Sequence, residues 1–200
     1  MVIQKGKFKI LVIIKPDAVK RKITGQILDY IATMTKYNIK CLNRVKLSRK
    51  YLSEHYAQHQ GKFYYQNLLA YMSSNYCYVG YIEVPRDNAE QAILKLRALL
   101  GDTMAGPKGK PGTIRADFAS INPPMYKYQK IVDGKIEEIY QTPANIAHFS
   151  ESIIAAEREI FLCENNGYFD LAGVSKRSNE TVSSTVPNGF VGSNPAPSID

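Results

Sequence analysis

The run Phe8-Lys-Ile-Leu-Val-Ile-Ile14, which ends abruptly in Lys15-Pro16-Asp17, limits the possible folds more than any other segment. A short apolar run closed by a turn signal reads as a buried strand. Pro16 has a fixed φ and no N–H, so it stiffens the exit, and Lys15 is delivered as a cation to the edge of a core. Downstream, Ile23, Ile27, Ile31 and Met34 recur at helical spacing as an apolar stripe. Ile39–Leu47 alternates well enough for a second strand, and two helical segments follow near 50–60 and 64–73, broken at Gly61. Tyr76–Val84 reads as a third strand. Asp87-Asn-Ala-Glu90 resembles a capping box that opens a helix ending near Leu99. Residues 150–160 predict a last helix running into a short fourth strand at Ile160–Cys163. Strands interleaved with helices imply an α+β sandwich with helices covering one sheet, in a strand order that the pattern does not fix.

Composition sets outer bounds. A chain of 200 residues suits one core domain with an appendage. No apolar run is long enough to span a bilayer, and Met1-Val-Ile-Gln-Lys-Gly6 lacks the layout of a signal peptide. The three cysteines, Cys41, Cys77 and Cys163, are odd in number and set in apolar runs, which predicts reduced, buried thiols in a cytoplasmic protein. A net charge of +8 reads either as solubility or as attraction of polyanions, nucleotides or nucleic acid.

The candidate reactive group is His148, in the run Asn145-Ile-Ala-His-Phe-Ser-Glu-Ser152 ahead of the helical segment that carries Glu159. The field at a helix N-terminus favours anions and disfavours imidazolium. A neutral imidazole is a nucleophile, and Glu159 could fold back to orient it. The plainer reading of such a histidine is a polar surface side chain. Lys15, Arg97 and Arg115, with the Thr103 hydroxyl, supply what a triphosphate requires: charge-assisted donors, two of them guanidiniums able to bind in a bidentate way.

Other local patterns carry less. Gly106–Thr113 superficially suggests a phosphate-binding loop, but the required glycine spacing is absent and prolines interrupt it. It reads as a pinned surface loop shaping a cleft. His55 and His59 stand one helical turn apart, as two metal ligands would, yet no third ligand is evident, so helix-surface histidines are the expectation. Asp17 and Asp117 read as turn-capping or salt-bridging groups rather than an acid/base pair.

Taken together, several blocks resemble the nucleoside diphosphate kinase family. They are Ile13–Arg21, Glu54–Gln58, Tyr71–Ser74, Leu96–Thr103, Pro111–Arg115 and Asn145–Glu159, collinear over most of residues 8–163. The resemblance implies a ferredoxin-like fold with a four-stranded antiparallel sheet. It implies that His148 takes the γ-phosphoryl group from a nucleoside triphosphate and passes it to a diphosphate. Lys15, Arg97, Thr103 and Arg115 match the phosphate-binding side chains. Asn145 matches the residue reaching the sugar hydroxyl, a task shared with Lys15. Tyr56 matches a hydroxyl near the histidine, Tyr64 the aromatic on which the base stacks, and Ser150 and Glu159 the partners that position the imidazole. Mg²⁺ would arrive on the nucleotide phosphates, and no metal ligated by the protein alone is implied. The family also implies a homo-oligomer, hexamer or tetramer. A membrane partner is not implied, and nucleic acid is compatible with the charge without being required.

Two stretches depart from the family. The chain between Arg115 and Asn145 is longer than the family's usual spacing. Asp133-Gly134 between Ile131-Val132 and Ile136 signals a hairpin, so a projecting insert is predicted at about 122–143, within a kinase domain spanning 1–171. From 172 to 200 the chain is rich in Ser, Thr, Asn, Gly and Pro, and a flexible tail is expected. Phe149, Glu151 and Ala116 stand where the family usually has a small residue, an aspartate and a glycine. A Phe149 forced into an unusual backbone angle would strain the site. Two rival readings follow: a nucleic-acid-binding module, from the basic balance and the Tyr/Lys-rich insert, and a catalytically dead scaffold.

Overall fold

Ile10 to Ile14 are all fully buried, so the first strand is covered on both faces, which explains its unbroken apolar run. The computed structural model describes residues 6–103, 108–120, 123, 125–132 and 135–169. Strand β1 (Lys7–Ile14) runs into the short helix α1 (Pro16–Lys20), then α2 (Thr24–Thr35) and β2 (Ile39–Lys46). Next come α3 (Arg49–His55), a 3-10 turn at Ala57–His59, α4 (Tyr65–Ser73) and β3 (Tyr76–Pro85). A second 3-10 turn at Arg86–Asn88 leads into α5 (Ala89–Leu100), followed by the single turn α6 (Ile114–Asp117). The ribbon β4 (Tyr126–Val132) and β5 (Lys135–Gln141) precedes β6 (Ala147–Phe149) and α7 (Ile153–Asn165).

The main sheet has the order β2-β3-β1-β6 with every pairing antiparallel. Because side chains alternate across a strand, β1 feeds two cores. Phe8, Ile10, Val12 and Ile14 pack with Ile27 and Ile31 of α2 and with Ile93 and Leu96 of α5. Leu11 and Ile13 face the other way, onto Tyr51 and Leu52 of α3, Leu69 and Met72 of α4, and Ile160 and Cys163 of α7. Truncating any of these buried isoleucines to alanine would cost roughly 2–5 kcal/mol.

Four expectations need correction. The fourth strand is Ala147–Phe149, whereas Ile160–Cys163 continues α7, with Ile160 and Cys163 turned inward and Phe161 outward. The capping box does not form as read: Asp87 lies in the 3-10 turn, and Asn88 precedes α5 without a side-chain cap bond. Met34, assigned to the apolar stripe of α2, is 49% exposed. Cys77 and Cys163 are buried free thiols as expected, but Cys41 is half-buried.

The insert is an antiparallel ribbon in register from Tyr126↔Gln141 to Val132↔Lys135, forming its own two-stranded sheet. Its Asp133-Gly134 tip and the 172–200 segment lie outside the described residues. Among the described residues, no helix is long and apolar enough to cross a membrane.

Candidate active site

The strand β6 carries His148 into the sheet, pairing it with Ile13 beside the Ala147–Ile14 and Phe149–Val12 pairs. It is a strand residue, and the N-cap of α7 comes only at Ser152, whose hydroxyl accepts the Ala155 N–H at 3.1 Å. The turn into β6 is tight. Ile146 has φ 75°, and the Ala147 N–H donates to Asn145 O at 2.9 Å across it, a three-residue turn of the rare, strained hand. A β-branched residue in that region persists only where its surroundings over-determine it. Here the Ile146 N–H donates to Asp17 Oδ2 at 3.1 Å, Lys15 N–H donates to Ile146 O at 2.8 Å, and the side chain is buried in the core. Tyr71 locks Asp17 in turn by donating its hydroxyl to Oδ1 at 2.5 Å. Phe149 shows no left-handed backbone angle and is fully buried in the core, so the strain expected there sits at Ile146 instead.

Glu159 reaches across from α7. Its Oε1 is 3.1 Å from Nε2 of His148, and its Oε2 accepts the Ser150 hydroxyl at 2.7 Å. Ser150 also accepts from the Leu11 N–H at 3.1 Å, which anchors the pair to β1. Burial alone would raise the Glu159 pKa. His148 beside it, then His55 and the Ser150 hydroxyl, outweigh that and hold it at about 2. An ionised carboxylate only accepts, so Nε2 carries the imidazole proton and Nδ1 keeps the lone pair.

Around His148 a cleft is lined by Lys15, Tyr56, Tyr64, Arg97, Thr103, Arg115, Asn145 and Glu159, which brings together every sequence-predicted site residue except the buried Ser150 behind it. Lys15 is 5% exposed, and its Nζ donates to Asn145 Oδ1 at 2.5 Å. Burial, then the neighbouring Arg115, lowers its pKa to about 8. Arg115 donates to Thr103 Oγ1 at 2.7 Å and to Gly101 O at 2.9 Å. Burial and the charge of Arg97 pull its pKa down to about 10. Cations crowded out of water and against each other are poised for an anion that neutralises them. The Tyr56 hydroxyl is buried without a partner, and burial pushes its pKa far up, so it stays a neutral donor. Tyr64 is half-buried at the cleft edge, its hydroxyl 2.8 Å from His59 Nδ1.

Sequence reasoning missed or misplaced several groups. His55 is fully buried rather than on the helix surface, its ring edge-to-face with His148 at 5.1 Å. Thr142 and Pro143, at the foot of the inserted ribbon, line the cleft with Gln58, His59, Leu68 and Glu151. A helical repeat gives no sign of which histidine turns inward. Asp17 and Asp117 do not pair: Asp117 accepts from Gly112 N–H at 3.1 Å and from Tyr30 at 3.1 Å. Of the Gly106–Thr113 loop, residues 106 and 107 lie outside the described residues.

Residues 9–166 match the family model of nucleoside diphosphate kinase. A nucleoside diphosphate kinase of Methanocaldococcus jannaschii is 34% identical over 156 residues, covering 78% of this chain and 92% of that protein. One from Mycobacterium leprae is 32% identical, covering 76% and 93%. Among solved structures, the Aquifex aeolicus nucleoside diphosphate kinase superposes with a TM-score of 0.60 at 26% identity, covering 78% of this chain and 94% of that one. The Encephalitozoon cuniculi enzyme gives 0.58 at 25% identity, covering 78% and 87%. With its ferredoxin-like sheet and this histidine cleft, the chain belongs to the nucleoside diphosphate kinase family.

Proposed function

We propose that this kinase moves the γ-phosphoryl group of a nucleoside triphosphate onto a nucleoside diphosphate through a phosphohistidine at Nδ1 of His148. One observation carries the assignment: Glu159 holds Nε2, which leaves Nδ1 as the ring's free lone pair on a residue that lines a cationic cleft. That lone pair attacks the γ-phosphorus while the bond to the β–γ bridging oxygen breaks, and the diphosphate leaves with those electrons. An acceptor diphosphate then runs the step in reverse, giving ping-pong kinetics through one site. The transition state is loose, so the work is positioning and charge stabilisation. Arg115, Arg97, Lys15 and the Thr103 hydroxyl take the phosphate oxygens, and the Tyr56 hydroxyl, in the same cleft as His148, donates to the transferring group. Asn145 and Lys15 meet the sugar, Tyr64 stacks on the base, and Ser150 fixes Glu159.

Stacking is indifferent to base identity, so a broad nucleotide range is expected. The reaction needs a divalent cation. The cleft presents cations, hydroxyls and one exposed carboxylate, Glu151, and its buried carboxylate is committed to His148 and Ser150. That donor set suits Mg²⁺ carried in on the nucleotide phosphates rather than caged by the protein. We further propose a cytoplasmic, homo-oligomeric enzyme, in keeping with the family. Incubation with γ-labelled ATP tests the central claim. An alkali-stable, acid-labile phosphoprotein is expected, and it must be absent in His148→Ala. Equal labelling of that variant would refute the assignment.

A further inference from the structure

His55 is a buried group in contact with the His148 ring that the phosphotransfer reading leaves without a task. It is fully buried on α3, and its Nε2 has no hydrogen-bond partner. A buried ring nitrogen with nothing to bond is costly, and it asks for an explanation. That nitrogen points at the carboxylate serving the nucleophile, with Nε2 of His55 3.8 Å from Oε1 of Glu159. The same oxygen is 3.1 Å from Nε2 of His148. One ligand atom from each of the three residues falls within 4.8 Å of the others. Two nitrogen or oxygen ligands on a tetrahedral Zn²⁺ stand roughly 3.3 Å apart. The two separations that share the Glu159 oxygen straddle that value, so an inward turn of His55 would bring its Nε2 to ligating distance beside that oxygen.

We propose that His55, His148 and Glu159 form a binding site for a divalent transition-metal ion of the Zn²⁺ class, and that filling it silences the histidine nucleophile. Two imidazoles and a carboxylate are a common ligand set for Zn²⁺, with a fourth position left for water or a phosphate oxygen. The supporting shell is already built. Ser150 holds the second carboxylate oxygen, and the Tyr51 hydroxyl lies 3.2 Å from Nδ1 of His55 and 3.1 Å from Sγ of Cys163. With metal on Nε2, His55 carries its proton on Nδ1 and donates it to Tyr51, which donates onward to Cys163. A ligating imidazole needs such an acceptor behind it.

The inhibition follows from proton positions. In the free enzyme His148 carries its proton on Nε2 and its lone pair on Nδ1. A metal at Nε2 uses the lone pair there, so the ring's single proton moves to Nδ1, and the atom that must attack phosphorus has none to offer. This second half rests on the phosphohistidine reading, whereas metal binding itself does not. Lys15, Arg115 and Arg158 oppose a cation here. Lys15 is held by Asn145, Arg115 by carbonyl oxygens and Thr103, and Arg158 by Gln58 and His55 O. Their field is expected to make binding weaker than at structural zinc sites.

Co²⁺ titration of the nucleotide-free protein reads the site directly. One Co²⁺ per chain with the strong visible absorption of a four- or five-coordinate ion is expected, lost in His55→Ala and retained in His59→Ala. Tyr51→Phe, which keeps the ring in place, is expected to weaken binding about tenfold. In parallel, Co²⁺ should suppress labelling of wild-type protein by γ-labelled ATP with the same midpoint as its absorption titration, Zn²⁺ should do so at lower concentration, and a chelator should restore labelling. Absence of the absorption, or binding unchanged in His55→Ala, overturns the proposal. Should His55→Ala not fold, undiminished Co²⁺ affinity in Tyr51→Phe does so. Labelling of metal-free wild type tests the phosphohistidine separately.

Discussion

Lys15 Nζ sits 2.5 Å from Asn145 Oδ1, and this short contact joins the end of β1 to the turn before β6. The lysine is held almost dry, with its pKa lowered to about 8 first by burial and then by Arg115. A lysine whose folded pKa lies below its unfolded value costs stability while it must stay charged. The penalty is fully present below pH 8 and is relieved as the pH climbs from there toward 10.5. Its scale is about 3 kcal/mol before the lost hydrogen bonds are subtracted. Lys15→Met should therefore abolish phosphotransfer yet raise the stability of the nucleotide-free protein at pH 7, with the gain fading above pH 10. Urea unfolding at several pH values measures this, and a variant less stable than wild type at pH 7 would contradict it.

Glu159 has the opposite sign. Its folded pKa of about 2 lies below the unfolded carboxylate value, so its contribution is present above pH 4.5 and lost as the pH falls toward 2. Glu159→Gln should cost on the order of 3 kcal/mol at pH 7, and the difference from wild type should vanish near pH 2. The amide also loosens control of the His148 tautomer, so labelling by γ-labelled ATP should slow on the order of 10²-fold while nucleotide KM changes little. A pH-independent stability difference would show that the carboxylate is not held ionised by His148.

Gly101 begins the segment that holds Arg115. It follows α5 at φ 83°, and a Cβ there would lie 2.6 Å from Thr113 Oγ1 and 2.7 Å from Thr113 Cβ. Its carbonyl accepts from Arg115, two residues before Thr103 does the same. Gly101→Ala meets both a steric and a backbone objection, and roughly 2–4 kcal/mol should be lost. Because the Gly101 carbonyl holds Arg115, which we propose binds phosphate, KM for the nucleotide should rise more than kcat falls. Thermal unfolding and steady-state kinetics check both halves, and an unchanged Tm would be decisive against it.

Three of the four sheet strands were legible because burial writes itself into sequence as an apolar run or an alternation. The fourth was not, since Ala147–Phe149 is three residues long and carries no period of its own. The apolar run Ile160–Cys163 imitated a strand because helix α7 buries Ile160 and Cys163 while Phe161 is left 61% exposed. The cleft was legible through its cations and histidine, whose chemistry is specific by residue type. His55 and Thr142 were not, because both owe their place to tertiary packing: one is turned inward under β6, and the other stands at the foot of an insert.

Asp17 offers the most discriminating test of the frame behind His148. It touches no substrate-facing group, yet it accepts the Ile146 N–H at 3.1 Å and the Tyr71 hydroxyl at 2.5 Å, fixing the one strained residue in the approach to β6. Releasing that backbone lets the turn relax toward an ordinary φ, and His148 on β6 would shift with it. A displacement of about 1 Å can cost on the order of 10²-fold in rate even from outside the chemistry. Asp17→Ala should then lower kcat by roughly that factor while leaving equilibrium nucleotide affinity within a few-fold, because Lys15, Arg97 and Arg115 remain. Stability should fall by about 1–3 kcal/mol for the orphaned N–H and hydroxyl. Stopped-flow phosphorylation and nucleotide titration separate the two effects. A variant that loses affinity as steeply as rate would mean that Asp17 supports the cation cluster rather than the nucleophile.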